Sequence, residues 1–486
     1  MKSKILFQNN GNCYLQDVTN NFLLFLPGEL SKQIQKYLDN SATKNENNPA
    51  YYEKKAKFLI EKLADQRTVI ENFSSRLSPE MIESTLANTR QITFELTERC
   101  NLKCEYCAYG EIYGDYSPRK NKDLPYEYVS SLLEYLSEYW ASVKYSSINK
   151  SIAIGFYGGE PLLKMDLIQQ IINRLKEKST NSIHFNYNMT TNGVLLDKYM
   201  DLLVENDVQL LISLDGDKYN NSYRVTKSGK NPFHKIVSNI MLLKESFPVY
   251  FEERVMFASV LHNRNSYSEI NKFFREKFDK SVRISEVNPL GVKTEKKKQF
   301  YAMYQNARES LNKAEDYENL KEELFINGPE ANMLMYYLHA YSGNYIKNYS
   351  GFFVDKESTK WTPTGTCVPF GKRIFLTASG KILPCERIGH QHALGFVDKN
   401  EVHLDFNEIA CKYNQYYDNL HSQCSNCYSL KHCLMCIFNL DNIELNPECK
   451  DYFNEIKLKK YLSENVSFLS KNSKLYKKIM TEVILE

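Results

Sequence analysis

The sequence predicts an α/β protein built around an open, partial barrel of six parallel strands, and three observations support this fold class. From Gln91 onward, short strand-like runs alternate with longer amphipathic helical patterns, which is typical of βαβ units and a parallel sheet. Six such strands precede Asn288, whereas a full barrel of this kind needs eight. Apart from Cys13 and Cys411, the cysteines fall into two groups, at residues 100–107 and 367–449, and the second group distinguishes the C-terminal region from the core.

The first 90 residues or so predict a small α+β module. Two alternating runs, KILFQ and CYLQD, flank Asn10-Gly11, which is a strong hairpin signal, and NFLLFL predicts a third strand. Helical patterns follow in LSKQIQKYLD and YEKKAKFLIEKLA, with a loop predicted at Asn40–Ala50 between them. Such a module is either a binding module or a packing extension of the core.

The six predicted core strands are QITFEL, SIAIGFY, SIHFNYNM, VQLLISL, YFEERVMFASV and SVRISEVN. Amphipathic stretches between them, such as DLIQQIINRLKEK, predict the helices that cover the sheet. Helical patterns such as FYAMYQNARESLNKA continue from about residue 300 to 360, and others follow residue 453. The predicted domains are therefore an N-terminal module (1–88), a partial barrel (89–300), bridging helices (301–360), a cysteine-rich domain (361–452) and a helical tail (453–486).

The bulk composition predicts a soluble globular protein without nucleic-acid or membrane partners. Basic and acidic residues nearly balance, at 62 against 59, so no strongly basic surface is expected. The longest apolar run, FLLFL, is far shorter than the roughly 20 residues that span a bilayer, and the first residues lack the apolar core of a signal peptide. We therefore expect a cytoplasmic protein, in which clustered cysteines hold metal more often than they form disulfides.

Three cysteines stand at an uneven spacing in TERCNLKCEYCAYG, directly after the first predicted core strand. Three residues separate Cys100 from Cys104, and two separate Cys104 from Cys107. A structural zinc site normally has four protein ligands. Three thiolates on a 4Fe–4S cluster would instead leave one iron open to a substrate or cofactor. The carboxyl end of a strand in a parallel sheet is also where such ligands bind.

This spacing, Cys-x3-Cys-x2-Cys with the aromatic Tyr106 before the third cysteine, resembles the signature of the radical S-adenosylmethionine (SAM) superfamily. The resemblance implies a partial TIM-like barrel in which these thiolates hold a 4Fe–4S cluster, with SAM bound to the open iron through its amino and carboxylate groups. It also implies reductive cleavage of SAM to a 5′-deoxyadenosyl radical, which abstracts a hydrogen atom. The electron would come from a reductant such as flavodoxin or ferredoxin. A zinc site or unliganded structural cysteines are the alternative.

Later motifs resemble the SAM-contacting segments of the same superfamily. In FYGGEPLL, Gly158 and Gly159 let the backbone approach a ligand and Glu160 adds negative charge, as in the motif that holds the SAM amino group. Arg224 is expected to pair with the SAM carboxylate. The further cofactor contacts that the resemblance implies are Tyr106 and, at strand ends, Asn192, Ser213 and Asp215. Each of these polar residues has an alternative role as a turn residue or helix cap.

The second group of cysteines resembles the SPASM extension of radical SAM enzymes, which carries two auxiliary 4Fe–4S clusters. Its pattern has a first cysteine, a Gly-x4-Cys, a Cys-x2-Cys-x5-Cys-x3-Cys and a last cysteine, and here the final gap is two residues. The resemblance implies an outer cluster on Cys424, Cys427, Cys433 and Cys449. It implies an inner cluster on Cys367, Cys385 and Cys436. The inner cluster would have an open iron or an unexpected fourth ligand, for which Cys411 is a candidate. A zinc ribbon is the alternative for this region.

The resemblance covers residues from about 90 to 450 and implies an enzyme that modifies peptides or proteins. The first hypothesis is a maturase of a ribosomally synthesised precursor peptide (RiPP) that forms a thioether or carbon–carbon crosslink. The N-terminal module is similar to the winged-helix-like domains that hold a leader peptide by strand addition. The alternative is an anaerobic sulfatase-maturing enzyme, which produces formylglycine, although those enzymes typically start near the three-cysteine motif. A non-catalytic iron–sulfur or zinc-binding protein is the alternative of another class.

Overall fold

The computed structural model describes residues 4–18, 22–39, 51–64, 76–114, 119–142, 144–145, 151–179, 183–325, 328–341, 366–399 and 401–483. The chain falls into two compact units. The first unit comprises Met1–Arg76, Glu323–Thr366 and Asn414–Glu486, and the second comprises Leu77–Glu322 and Cys367–Tyr413. Within the described ranges, no helix is both long enough and apolar enough to cross a membrane.

The first unit begins with a three-stranded antiparallel sheet. Its strands, in spatial order, are β1 (Lys4–Asn9), β2 (Asn12–Asp17) and β3 (Phe22–Leu26). Asn10 and Gly11 connect β1 to β2 with φ angles of 50° and 78°, as a two-residue type I′ hairpin turn requires. The predicted hairpin and third strand are therefore confirmed, and the predicted loop at Asn40–Ala50 lies outside the described residues.

Helices cover both faces of this small sheet, because alternate strand residues point to opposite sides. The helices that lie wholly in the first unit are α1 (Gly28–Leu38), α2 (Tyr51–Ala64), α13 (Pro329–Tyr341), α15 (Glu455–Lys471) and α16 (Ser473–Glu482). Leu15 forms a core with residues of α1 and α2. Ile5 and Phe7 share another core with residues of α13, α15 and α16. The N-terminal strands, one bridging helix and the tail thus belong to one unit, and the five-domain division remains a prediction.

The second unit contains a ten-stranded sheet whose central part is parallel. Its six parallel strands are β4 (Gln91–Thr97), β5 (Ser151–Gly158), β6 (His184–Thr191), β7 (Gln209–Ser213), β8 (Val255–Leu261) and β9 (Val282–Glu286). They are neighbours in chain order, and each is parallel to the next. The predicted (β/α)6 arrangement is confirmed. Because the carboxyl ends of parallel strands meet at one edge, residues that follow these strands are brought together.

Helices in the same unit follow the strands. They are α3 (Pro79–Ala87), α4 (Tyr126–Trp140), α5 (Met165–Lys178), α6 (Leu196–Glu205), α7 (Phe233–Ser246), α8 (Pro248–Arg254), α9 (Tyr267–Phe278), α10 (Lys297–Met303) and α11 (Ala307–Asn312). Two further helices, α12 (Tyr317–Leu324) and α14 (Phe406–Cys424), include residues of both units. The helix predicted in FYAMYQNARESLNKA is divided into α10 and α11, because Asn306 caps a new helix by accepting from Glu309 N.

One predicted strand begins too early. YFEERVMFASV was expected to be extended throughout, but Pro248 starts α8 and β8 begins only at Val255. Proline at the first helical position has the φ angle that a helix needs. Tyr250 and Phe251 lie in this helix, and both side chains are buried. These aromatic residues suggested a strand, but they pack into the core as part of a helix.

Four strands of the C-terminal region extend the sheet and were not predicted. They are β10 (Ile374–Leu376), β11 (Lys381–Leu383), β12 (Gly395–Val397) and β13 (Val402–Leu404). Strand β10 pairs with β4 in parallel, and the other three follow as antiparallel neighbours. Part of the predicted cysteine-rich domain therefore continues the sheet of the barrel.

Candidate active site at the carboxyl ends of the parallel strands

The loop after β4 carries Cys100, Cys104 and Cys107 as partly buried free thiols. Cys107 N donates to Cys104 O at 3.2 Å, and Gly110 N donates to Cys107 O at 2.7 Å, so the loop consists of tight turns. Burial raises the pKa of Cys100 to about 11 and that of Cys104 to about 12, and Cys107 adds to both increases. Thiols with such high pKa values become thiolates when a metal cation replaces the proton.

The three thiols after β4 suit an iron–sulfur cluster. The thiolates of a 4Fe–4S cluster bind different irons and do not converge on one point. Three neighbouring free thiols at the end of a parallel strand suit such a cluster, and they leave one iron without a protein thiolate.

Gly158 and Gly159 bring the end of β5 into direct contact with the cysteine loop. Gly159 N donates to Thr97 O at 2.7 Å. A Cβ atom on Gly158 would lie 2.4 Å from Thr97 O, and one on Gly159 would lie 2.0 Å from Arg99 O, so no larger residue fits. The glycines are thus required by contact between two backbone segments. Their role in holding SAM remains a prediction.

Glu160 joins the ends of β5 and β6. Its buried carboxylate accepts three hydrogen bonds, from Leu162 N at 3.1 Å, Asn192 N at 2.9 Å and Thr191 Oγ1 at 2.7 Å. Burial raises the pKa of Glu160, and these hydrogen bonds oppose that rise. Asn192 Nδ2 donates to Asn101 Oδ1 at 2.7 Å and to Cys100 Sγ at 3.8 Å. Asn192 therefore contacts the cysteine loop, and the Glu160 carboxylate holds Asn192 in place.

Asp215, just after β7, is the centre of a buried network that includes two other predicted cofactor residues. Arg224 Nη2 donates to Asp215 Oδ1 at 2.9 Å, and the Tyr106 hydroxyl donates to Oδ2. Asp215 is fully buried and Arg224 is 7% exposed. Burial alone would raise the pKa of Asp215. The charge of Arg224 and hydrogen bonds from His262, Arg224 and Tyr106 outweigh the effect of burial and lower this pKa to about 2. The carboxylate is therefore ionised at neutral pH.

Arg224 has a hydrogen-bond donor that the residues described by the structure do not use. Its charge opposes the rise in the pKa of Cys104, which places the guanidinium close to that thiol. Arg224 Nε is buried and has no hydrogen-bond partner among the residues that the structure describes. A guanidinium in this state is suited to a carboxylate ligand. Ser213, the remaining predicted contact, ends β7 opposite Ala258 of β8 and is partly buried.

The sequence reasoning missed His262. This residue is fully buried directly after β8, and its Nε2 lies 3.7 Å from Asp215 Oδ2. Its Nδ1 accepts from Arg264 N at 3.1 Å, and its ring stacks on Tyr106 with centroids 5.9 Å apart. Its place at the carboxyl end of a predicted parallel strand was the signal that could have identified it.

The second group of cysteines is divided between the units. In the first unit, Cys424 interacts electrostatically with the other three thiols of the predicted outer set, those of Cys427, Cys433 and Cys449. Burial is the main cause that raises the pKa of Cys424 to about 12. Proximity of these four thiols agrees with the outer-cluster prediction. Of the predicted inner set, Cys367 and Cys385 belong to the second unit and Cys436 to the first. Both ligand sets remain predictions.

Comparisons with known proteins agree with this arrangement. Residues 94–276 match the family model of the radical SAM superfamily. The radical SAM cyclopropyl synthase TigE of Paramaledivibacter caminithermalis is 24% identical over 353 residues, covering 71% of this chain and 66% of TigE. A serine-type anaerobic sulfatase-maturating enzyme of Bacteroides thetaiotaomicron is 30% identical over 149 residues, covering 30% of this chain and 34% of that enzyme. This chain thus spans less than two thirds of either relative.

A similar solved structure is that of native anSMEcpe with bound AdoMet. Its TM-score is 0.54 at 17% sequence identity, and the match covers 81% of this chain and 100% of that one. At this level of identity the likeness concerns the fold. It agrees with the partial barrel described above.

Proposed function

Because this chain carries a radical SAM domain, we propose that it is a peptide maturase that abstracts hydrogen from a ribosomally synthesised precursor peptide and forms a thioether or carbon–carbon crosslink. The observation that carries the proposal is the set of three neighbouring thiols after β4, held against Gly158 and Gly159 with Arg224 beside them. A fourth thiol would close the site to a cofactor.

The residues of this site would hold the cofactors in a fixed orientation. When bound, a 4Fe–4S cluster and SAM supply a one-electron reductive cleavage that yields a 5′-deoxyadenosyl radical. Cys100, Cys104 and Cys107 would be the cluster ligands. Arg224 would bind the SAM carboxylate through donors that Asp215 does not use, and Asp215 keeps the guanidinium charged and oriented.

Two features support a peptide substrate and a carbon–carbon product. In the N-terminal sheet, β3 is an edge strand, and Phe25 on it is 60% exposed. An extended leader peptide can add to such an edge by main-chain hydrogen bonds. A cyclopropyl synthase, which is what the relative TigE is named, closes a ring of carbon–carbon bonds.

Formylglycine formation is the second candidate, supported by the similarity to a serine-type sulfatase-maturating enzyme. The two reactions leave different groups on the substrate. A crosslink joins two side chains within one peptide, whereas formylglycine is an aldehyde on one residue. A chemical reagent for aldehydes therefore separates the candidates.

Co-expression with a short peptide encoded beside the gene, followed by mass spectrometry, tests the proposal. We expect the peptide to lose a pair of hydrogens at each modified site and to yield linked fragments on sequencing, and we expect no change with Cys104→Ala. A hydrazide-reactive product without a crosslink would support formylglycine formation. A purified, reconstituted enzyme that produces no 5′-deoxyadenosine under reduction would contradict both and favour a non-catalytic iron–sulfur protein.

A further inference from the structure

Four lysines form a basic surface in the segment KTEKKK, which follows β9. Lys297 and Lys298 begin α10 and are exposed, and Lys293 and Lys296, just before this helix, are partly buried. None of the four has an ion-pair partner among the residues that the structure describes. The one acidic residue of the segment, Glu295, is exposed. The basic surface therefore presents net positive charge to solvent.

The stability of α10 does not explain this charge. The N-terminal end of a helix carries a partial positive charge, which disfavours lysine in the first turn. Lys297 and Lys298 lie in that turn. Positive charge concentrated at this place is suited instead to an acidic partner.

Exposed apolar side chains accompany the basic surface. Tyr301, one helical turn after Lys297, is 69% exposed, and Leu290, three residues before Lys293, is 44% exposed. Interfaces between proteins combine apolar contacts with a polar rim, and tyrosine is enriched in them. A small anion would need the lysines alone, so the apolar contacts favour a protein partner.

The other side of α10 packs on the loop that carries the three thiols. Phe300 and Met303 of this helix are buried in one core with Ile112 and Tyr113, and Cys104 packs against that core. Because successive helical residues point in different directions, the helix buries these two side chains and keeps its lysines in solvent. The basic surface thus lies on a helix that contacts the cysteine loop.

Hydrogen bonds join the cysteine loop to the segment that precedes α10. Lys293 N donates to Ile112 O at 3.0 Å, and the Tyr113 hydroxyl donates to Asn288 O at 2.8 Å. Burial raises the pKa of Tyr113 to about 12, and the Cys107 thiol adds to this rise, so Tyr113 lies near Cys107. Contacts therefore continue from the basic surface to the predicted cluster ligands.

We propose that the basic surface, together with Tyr301, docks an acidic electron-donor protein that reduces the cluster on Cys100, Cys104 and Cys107. The inference rests on the proposed function, because reductive cleavage of SAM takes one electron from outside the chain. The donor loses this electron and the cluster gains it, and no proton moves. Opposite charges would orient the two proteins as they meet, and electron-transfer encounters need only a small interface.

Binding of a purified flavodoxin, which is an acidic protein, tests the docking surface without turnover. Its oxidised form would be titrated into the reconstituted full-length protein, and the Kd measured by isothermal titration calorimetry. We expect Lys297→Glu combined with Lys298→Glu to raise the Kd about tenfold at low salt. The difference from wild type should shrink as salt screens the charges. An unchanged Kd, or no binding to wild type, would overturn the proposal.

Lys474→Glu combined with Lys477→Glu is the matched control. Both lysines are exposed on α16 of the first unit, and their replacement changes the net charge by the same amount. The Kd of this variant should stay close to that of wild type. Equal increases in the two double variants would show that net charge alone governs binding, and would overturn the proposal.

Electron transfer provides a second measurement. Anionic flavodoxin hydroquinone would be mixed with the protein and SAM, and its one-electron oxidation followed by stopped-flow absorbance. We expect the second-order rate constant to fall about tenfold in Lys297→Glu with Lys298→Glu. Formation of 5′-deoxyadenosine driven by photoreduced 5-deazariboflavin, a small neutral donor, should be unchanged. Equal losses with both donors, or a wild-type rate constant that does not depend on salt, would overturn the proposal.

Nucleic acid is another partner that positive charge attracts. A short polyuridine strand would therefore be titrated alongside flavodoxin. Tighter binding of polyuridine than of flavodoxin, lost in Lys297→Glu with Lys298→Glu, would overturn the proposal and assign the surface to nucleic acid.

The same preparations separate this inference from the proposed function. Protein that modifies its peptide, and whose flavodoxin binding is unaffected by Lys297→Glu with Lys298→Glu, overturns the docking surface alone. Protein that takes electrons from flavodoxin through these lysines but modifies no peptide overturns the maturase and leaves the docking surface standing.

Discussion

Cys104→Ala is expected to abolish the formation of 5′-deoxyadenosine from SAM. Two thiolates cannot hold a 4Fe–4S cluster in the orientation that three define. The charge of Arg224 also acts on the Cys104 thiol. Anaerobically reconstituted protein would be reduced with dithionite in the presence of SAM, and 5′-deoxyadenosine would be measured by liquid chromatography. We expect the rate to fall to that of the reaction without protein.

Cys13→Ala is the matched control for this experiment. Cys13 lies in β2 of the first unit, is partly buried and was assigned no ligand role. It should retain wild-type iron content and activity. Retained activity in Cys104→Ala would show that Cys104 is not a cluster ligand.

Asp215→Asn is expected to destabilise the protein by about 3–5 kcal/mol, because it leaves the charge of Arg224 buried without its counter-ion. Equilibrium unfolding in urea, followed by circular dichroism on metal-free protein, measures the loss. Asp207→Asn removes the same charge from an exposed pair with Arg254, so it should cost only about 0–1 kcal/mol. Asn is also suited to the positive φ of 48° at position 207. Equal losses in the two variants would contradict the role of Asp215.

The Asp215 carboxylate also makes the stability of the folded protein depend on pH, and this stability falls as the pH falls. Its pKa of about 2 in the folded protein is below the value of about 3.9 for an unfolded chain. Its stabilising effect is therefore complete above about pH 4 and is lost as the pH falls towards 2. In Asp215→Asn this part of the acid dependence should be missing, so the difference in stability from wild type should shrink between pH 4 and pH 2.

The parallel core could be predicted because its strands have strong local signals. Each is a short apolar run followed by an amphipathic helical pattern, and the polar residues that follow the strands were correctly placed at one edge. Strands β10–β13 have only three residues each. Strand β10 pairs with β4, about 280 positions away in the chain, and the other three strands pair in turn from β10. Local patterns carry no information about so distant a partner.

In the candidate site, too, the sequence did not predict which groups contact one another. Gly158 and Gly159 were expected to let the backbone approach a ligand, and the structure shows that they let it approach the backbone of Thr97 and Arg99. Asp215, Arg224 and Tyr106 were expected to face a cofactor separately, and they contact one another. Spacing identifies which residues follow strands. The partner of each side chain is decided by tertiary packing.

We propose that three thiolates leave one iron free for SAM, and electron–nuclear double resonance can detect SAM on that iron. The full-length protein would be reduced and mixed with SAM that carries ¹⁷O in its carboxylate. We expect a hyperfine coupling between the reduced cluster and this oxygen, retained in Cys13→Ala and absent in Cys104→Ala. A reduced cluster whose spectrum is unchanged by SAM and shows no ¹⁷O coupling would contradict it.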